Sequence, residues 1–177
     1  MNLREKLGGL TQAGDEHIQA VMALADEFGH SVRPVPSAVD LRRYTCLVYA
    51  LGFQGMPEYE TIAGLNYVDV FAGADFANWL LDRGHLKEVK AAKAEPGSFV
   101  LYSDELRAFI HIGILRDGGR VDSKWGNQGL YNHEVFEVPI IYGYTVRYYE
   151  PIEYVVCIEL FKEFAEEQGV EFKTNET

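Results

Sequence analysis

Two side chains in this 177-residue sequence have the types and settings for joint nucleophilic chemistry. Cys46 stands at the head of a short apolar helix in "RRYTCLVYALGF", Arg42 to Phe53. A cysteine at a helix start meets the helix dipole and free backbone N–H groups, which favour the thiolate and can hold an oxyanion. It still needs an imidazole to take the thiol proton. Of five histidines, His17 falls on the first helix, His30 and His133 in loops, and His85 just after a helix end. Only His111 lies inside an apolar strand, "AFIHIGIL". Alternation puts His111 on one face with Phe109, Gly113 and Leu115, and Ile110, Ile112 and Ile114 on the other. A glycine beside a strand histidine leaves room for another element, such as the helix end that carries Cys46.

An imidazole that works as a base is held by a partner on its far nitrogen. The next strand, "RVDSKW", offers Asp122, Ser123 and Lys124. A two-residue turn at Asp117-Gly118 pairs Gly113 with Asp122, whereas a three-residue turn pairs Gly113 with Ser123. Chemistry favours Asp122, and the register decides. Tyr44 stands close enough to Cys46 to offer a hydroxyl to an oxyanion, or else packs the helix. Trp125 and Asn127 either line a substrate groove or form a strand end and a turn. Cys157, in the apolar run "EYVVCIEL", reads as core.

The elements that position these residues divide the chain into a helical first part and a sheet. Asp15 to Phe28 carries apolar residues at helical spacing and stops at Gly29. "HSVRPVPSAVDLRR" is an extended strap. The Cys46 helix runs to about Leu51 and ends at Gly52, "QGMPEYETIAG" reads as a loop, and Asp75 to Arg83 is a helix closed by Gly84. From Pro96 the period is two: "GSFVLYS", "AFIHIGIL" and "RVDSKW" are strands, with "RDGG" a hairpin turn between the last two. "EVFEVP" and "YTVRYYEP" read as further strands, and "EYVVCIEL" as a strand or a final helix. The order predicts one α+β domain over 1–177: helix and strap in 1–43, the core in 44–160, and a tail in 161–177.

Hydrophobic residues make up 47% of the chain, enough for a sizeable core, and the net charge of −11 argues against non-specific nucleic-acid binding. Two cysteines give no disulfide framework, although one bridge between them is compatible with the sequence. The N-terminus lacks a basic start followed by an apolar stretch, and no run of about 18 apolar residues occurs, so neither a secretory signal nor a membrane span is expected. A cytoplasmic setting is the expectation that follows.

"CLVYALG", "GSFVLY", "HIGILRDGGRVDSKWG" and "YGYTVRYY" together resemble the papain-like fold of NlpC/P60-type cysteine hydrolases over roughly Tyr44 to Tyr149. In that family a helix-start Cys precedes a strand His, and a polar residue follows on the next strand. Pro96 to Tyr102 and His111 to Ile114 echo its strand motifs, and Ser123, Lys124 and Gly126 resemble a stretch of a bacterial papain-like domain. The family's nucleophile motif usually reads Asp-Cys-Ser, where this chain has Thr45-Cys46-Leu47, and its third residue is often His, where the spacing gives Ser123. The resemblance implies a papain-like α+β fold and hydrolysis of an amide or peptide bond, with a peptide, amide or protein as substrate and no metal or organic cofactor. It assigns Cys46 as nucleophile and His111 as base. Two alternatives remain open: a transglutaminase-like or acetyltransferase-like enzyme, which shares the Cys, His, Asp order, and a binding module on the same fold without turnover.

Overall fold

Among the described residues seven strands build one antiparallel sheet in the order β1-β6-β5-β4-β3-β7-β2. The strands are β1 (Arg33–Pro34), β2 (Glu88–Val89), β3 (Phe99–Ser103), β4 (Phe109–Leu115), β5 (Val121–Trp125), β6 (Gly129–His133) and β7 (Thr145–Tyr149). The helices are α1 (Leu3–Gly8), α2 (Gly14–Ala23), α3 (Ala25–Phe28), α4 (Cys46–Ala50), α5 (Pro57–Gly64), α6 (Ala74–Asp82) and α7 (Tyr154–Glu167). This is a computed structural model, and it describes residues 1–64, 70–105 and 108–170. The chain is thus a mixed α+β protein, with helices on both faces of its sheet. Among the described residues no helix is long and apolar enough to cross a membrane.

Strand alternation sorts the buried side chains into two cores. Phe99, Leu101 and Ile112 face Leu47 and Val48 of α4, Phe76 and Leu80 of α6, and Phe161 and Phe164 of α7. Val100, Tyr102, Val121, Trp125 and Tyr131 face the other way, toward Leu7 of α1 and Val21 of α2. The odd-numbered side chains of one strand therefore end in a different core from the even-numbered ones, as the pleat requires. A register shift between Tyr102 and Ser103 sets Phe109 opposite Ser103. Phe109 accordingly packs with the isoleucine-side core and not on the His111 face, which corrects the simple alternation.

Several expectations change. The first helix breaks at Leu24, which ends α2 and opens the single turn of α3. "QGMPEYETIAG" is not all loop: α5 starts at Pro57, a residue suited to the first helical position, and buries Tyr59 and Ile62. "EVFEVP" is not a strand. The pairing strand is β6 just before it, and Glu137 instead accepts hydrogen bonds from the N–H and hydroxyl of Ser31. "EYVVCIEL" begins α7, which runs through the boundary drawn at 160/161. Phe161, Phe164 and Ala165 are core residues, so the tail begins later than expected. The strap is extended at Arg33 and Pro34, which pair with β6 at the sheet edge, but it ends in a short 3-10 helix, Leu41–Arg43, which was not expected from the sequence.

Candidate active site

Local chemistry sets where α4 begins. The Thr45 hydroxyl accepts from Val48 N–H at 3.2 Å and donates to the Ala72 carbonyl at 3.2 Å, so it caps the helix and pins it. Leu47, Val48, Tyr49 and Ala50 are buried, and the helix packs on β4 and β5. Cys46, its first residue, is carried to a break in the sheet. The β4–β5 ladder holds only Gly113 with Ser123, Ile114 with Asp122 and Leu115 with Val121. Ile112, the next position along β4, has no partner on β5. Its N–H and those of Leu47 and Cys46 itself interact with the Cys46 sulfur. The thiol takes up a donor that a longer β5 pairing would have used.

Burial pushes the Cys46 thiol above its ordinary pKa, against those three N–H groups and the nearby Lys124 cation. The expected gain from the helix is small here, because α4 has only five residues. Lys124 is 0% exposed. Its ammonium donates to the Gly126 carbonyl and lies 5.5 Å from the centre of the Tyr44 ring. Desolvation lowers its pKa to about 8, against the attraction of Cys46. The Tyr44 hydroxyl shares a 2.8 Å hydrogen bond with Ser37 Oγ, so this tyrosine positions a cation and does not hold its hydroxyl free for an oxyanion.

His111 is the residue before Ile112, and only 1% of it is exposed. Its ring stacks on Tyr142, with centroids 3.8 Å apart and planes 7° from parallel, and lies 5.5 Å from the Tyr102 ring. Burial, with Cys46 nearby, raises the Tyr142 pKa above its ordinary value, against the influence of the Gly126 backbone. Burial first, then His133 and Lys124, hold the His111 pKa well below its ordinary value. Its Nε2 is buried with no hydrogen-bond partner. Among the described residues no hydrogen bond joins His111 to Cys46.

The third member is not where either candidate was expected to act. Asp117–Gly119 form the three-residue turn, which pairs Gly113 with Ser123. Asp122 therefore shares a face with Ile114, away from His111. It accepts from Arg116 Nε and Asn132 Nδ2, both at 2.7 Å. Ser123 bonds His133 Nε2 at 2.7 Å and Trp125 Nε1 at 2.9 Å. Neither bonds His111. Gly113 also has another reason than room for Cys46: a Cβ there would lie 2.4 Å from Val121 Cγ1 and 2.9 Å from the Asp122 carbonyl. Trp125 is fully buried and lines no groove. Asn127 does line a surface hollow of about 360 Å³, with Asp15 and the strap residues Ser37, Val39 and Arg42.

No family model, no curated protein and no solved structure matches this chain. The candidate site thus stands on its own geometry. It gathers Cys46, His111, Lys124, Tyr142 and Gly126 where β4 and β5 part. Lys124 was legible as a cation in a strand otherwise built for burial, and Tyr142 carried no signal beyond its aromatic neighbourhood. Among the described residues no group of three or more His, Cys, Asp or Glu is placed to hold a metal ion. Both cysteines are free, and the Cys157 thiol donates to the Ile152 carbonyl inside the core.

Proposed function

We propose that this chain is a thiol-dependent hydrolase of amide or peptide bonds on a papain-like α+β fold, with Cys46 as nucleophile. The observation that carries the reading is the place of Cys46: it is the first residue of α4, capped by Thr45 and packed on β4 and β5 where their pairing stops at Gly113. In this reading the buried, neutral His111 is an empty proton acceptor at neutral pH. The S–H bond breaks toward the imidazole as the sulfur pair forms a bond to the acyl carbon. The carbonyl pair moves to oxygen, within reach of the Cys46 and Ile112 N–H groups. The C–N bond then breaks, its pair leaves with the amine, and the imidazolium returns the proton to it. Water releases the acyl group by the same steps.

A binding module without turnover is the second reading. The observation that favours it is His111 Nε2, which has no orienting partner where a working base has one. A panel of peptide and simple amide substrates, run with and without hydroxylamine, tests both. Hydrolysis that disappears in Cys46→Ala supports the enzyme, and a hydroxamate product identifies the acyl-thiol intermediate and transfer to an amine. No turnover on any substrate, together with Cys46 alkylation no faster than that of a free thiol, replaces the enzyme with the binding module.

A further inference from the structure

His111 is buried beneath a residue that is itself partly exposed. The Tyr142 ring lies flat on the imidazole, with centroids 3.8 Å apart and planes 7° from parallel. Tyr142 is half-buried while His111 is 1% exposed, so the phenol ring is the outer layer of the stack. The other ring beside His111, that of Tyr102, is fully buried. Tyr142 ends a single 3-10 turn, Ile140–Tyr142, between β6 and β7. The turn closes on itself: Tyr142 N–H donates to the Pro139 carbonyl and Gly143 N–H to the Ile140 carbonyl. One side chain of α1 ties down both of its flanks. Arg4 Nε donates to the Val138 carbonyl at 3.2 Å, and Arg4 Nη2 donates to the Gly143 carbonyl. The same guanidinium lies 5.6 Å from the Phe136 ring centre and 5.7 Å from that of Tyr144. Beyond the turn the chain is fixed, since Tyr144 N–H donates to the Ser103 carbonyl and β7 begins. Gly143, with φ 98°, is the joint between turn and strand, and it has the conformational freedom a pivot needs. Ile141 is 64% exposed, so the large group this turn covers is the His111–Tyr142 stack.

We propose that the Ile140–Tyr142 turn is a lid: Arg4 holds it shut with Tyr142 on the His111 ring, and it swings out at Gly143 to uncover the imidazole. A base must come within hydrogen-bond reach of the proton it takes, and a ring with 1% exposure under a stacked phenol is out of reach of a substrate. The closed form is therefore the resting form, and opening admits the substrate. The purpose of the lid rests on the reading of His111 as the proton acceptor. Its existence does not, because opening is measurable without a substrate.

The probe is diethyl pyrocarbonate, which acylates a neutral imidazole nitrogen, used at about pH 7.5 with the modified histidine identified by mass spectrometry. His17 is the matched control. It is 0% exposed, its Nε2 lacks a partner as that of His111 does, and the rings beside it, Trp125 and Tyr131, are fully buried. In the parent protein His111 is expected to react at least about tenfold faster than His17. Low urea should speed His17 far more than His111, because a lid that opens exposes little surface and unfolding exposes much. Equal rates with equal urea dependence overturn the inference, since both rings are then reached only by unfolding. Arg4→Met keeps a long apolar stem and removes both donors. It is expected to raise the His111 rate about tenfold and to leave His17 unchanged. Tyr142→Phe keeps the stacked ring and should label like the parent, whereas Tyr142→Ala should label His111 fastest. An unchanged His111 rate in Arg4→Met or in Tyr142→Ala overturns the inference. If Arg4→Met labels His17 together with His111, the variant has loosened the whole fold, and the urea series on the parent protein decides alone. Gated labelling without turnover on any amide sinks the hydrolase alone. Turnover with His111 labelled only on unfolding sinks the lid alone.

Discussion

The Ser123 hydroxyl sits between two buried rings, and that fixes its role. It accepts from Trp125 Nε1 at 2.9 Å and donates to His133 Nε2 at 2.7 Å, while His133 Nδ1 donates to the Glu134 carbonyl at 2.7 Å. Ser123→Ala leaves an indole N–H and an imidazole nitrogen unpaired in the core, a loss of about 2–4 kcal/mol. A lower urea midpoint with unchanged Cys46 alkylation is expected. Intact stability with abolished turnover would return Ser123 to the catalytic group. The two cysteines differ in the same way. Cys46 sits partly exposed at a helix start, so Cys46→Ala should remove any turnover and leave the melting temperature within a few degrees. Cys157 is 1% exposed among Phe161 and Ile158, and Cys157→Ala should leave turnover intact while costing about 1 kcal/mol or more. Melting curves for both variants check this, and a reversed pattern reverses the assignments.

The β4–β5 pairing makes the site, because its early end leaves Ile112 N–H to the thiol. Gly113 leaves no room for a side chain against β5. A methyl group there meets Val121 Cγ1 at 2.4 Å, Ser123 Cβ at 3.0 Å and the Asp122 carbonyl at 2.9 Å. Gly113→Ala is expected to destabilise by about 2–3 kcal/mol through overpacking. Adding Val121→Ala removes the side-chain contact but not the carbonyl contact, so the double variant should recover part of the loss and no more. Additive losses in a urea-denaturation cycle would show that the two positions do not meet. This junction also marks how far the sequence could be read. The strand pattern from Phe99 to Trp125 and the Cys46 helix followed from period and caps, since both are local. The choice between Asp122 and Ser123 turned on one residue of turn length, and a single step moves every side chain to the other face. Strand β6 was hidden because "GLYNH" is short and mixed, while "EVFEVP" alternates well but spends its polar groups on the strap. The setting of Cys46 depends on where β4 and β5 part, a tertiary fact with no mark in either segment.

At the scale of the whole molecule the sheet divides the titratable interior unevenly. His17, His111 and His133 are all buried on or beside the α1–α2 face, and burial is the first cause that lowers each pKa. His17 and His133 fall to about 4. In the unfolded chain each titrates near 6.5, so between about 4 and 6.5 the unfolded state binds more protons. The stability these neutral rings contribute is complete above about pH 6.5 and is lost as pH falls toward 4. For His133 alone the full loss is on the order of 3 kcal/mol, with a slope of up to about 1.4 kcal/mol per pH unit for each ring. A net charge of −11 pulls the opposite way, because partial protonation of surface carboxylates relieves repulsion. Salt separates the two effects: surface repulsion is screened beyond about 8 Å at physiological ionic strength, and the buried rings are not. Urea denaturation at about 0.2 M salt should therefore show stability falling from pH 7 to pH 5. His17→Gln, which keeps a polar atom for the Tyr131 hydroxyl now 2.6 Å from His17 Nδ1, should reduce the slope by about one proton. A flat profile from pH 7 to 5 in salt would mean that these rings are not held neutral by the fold.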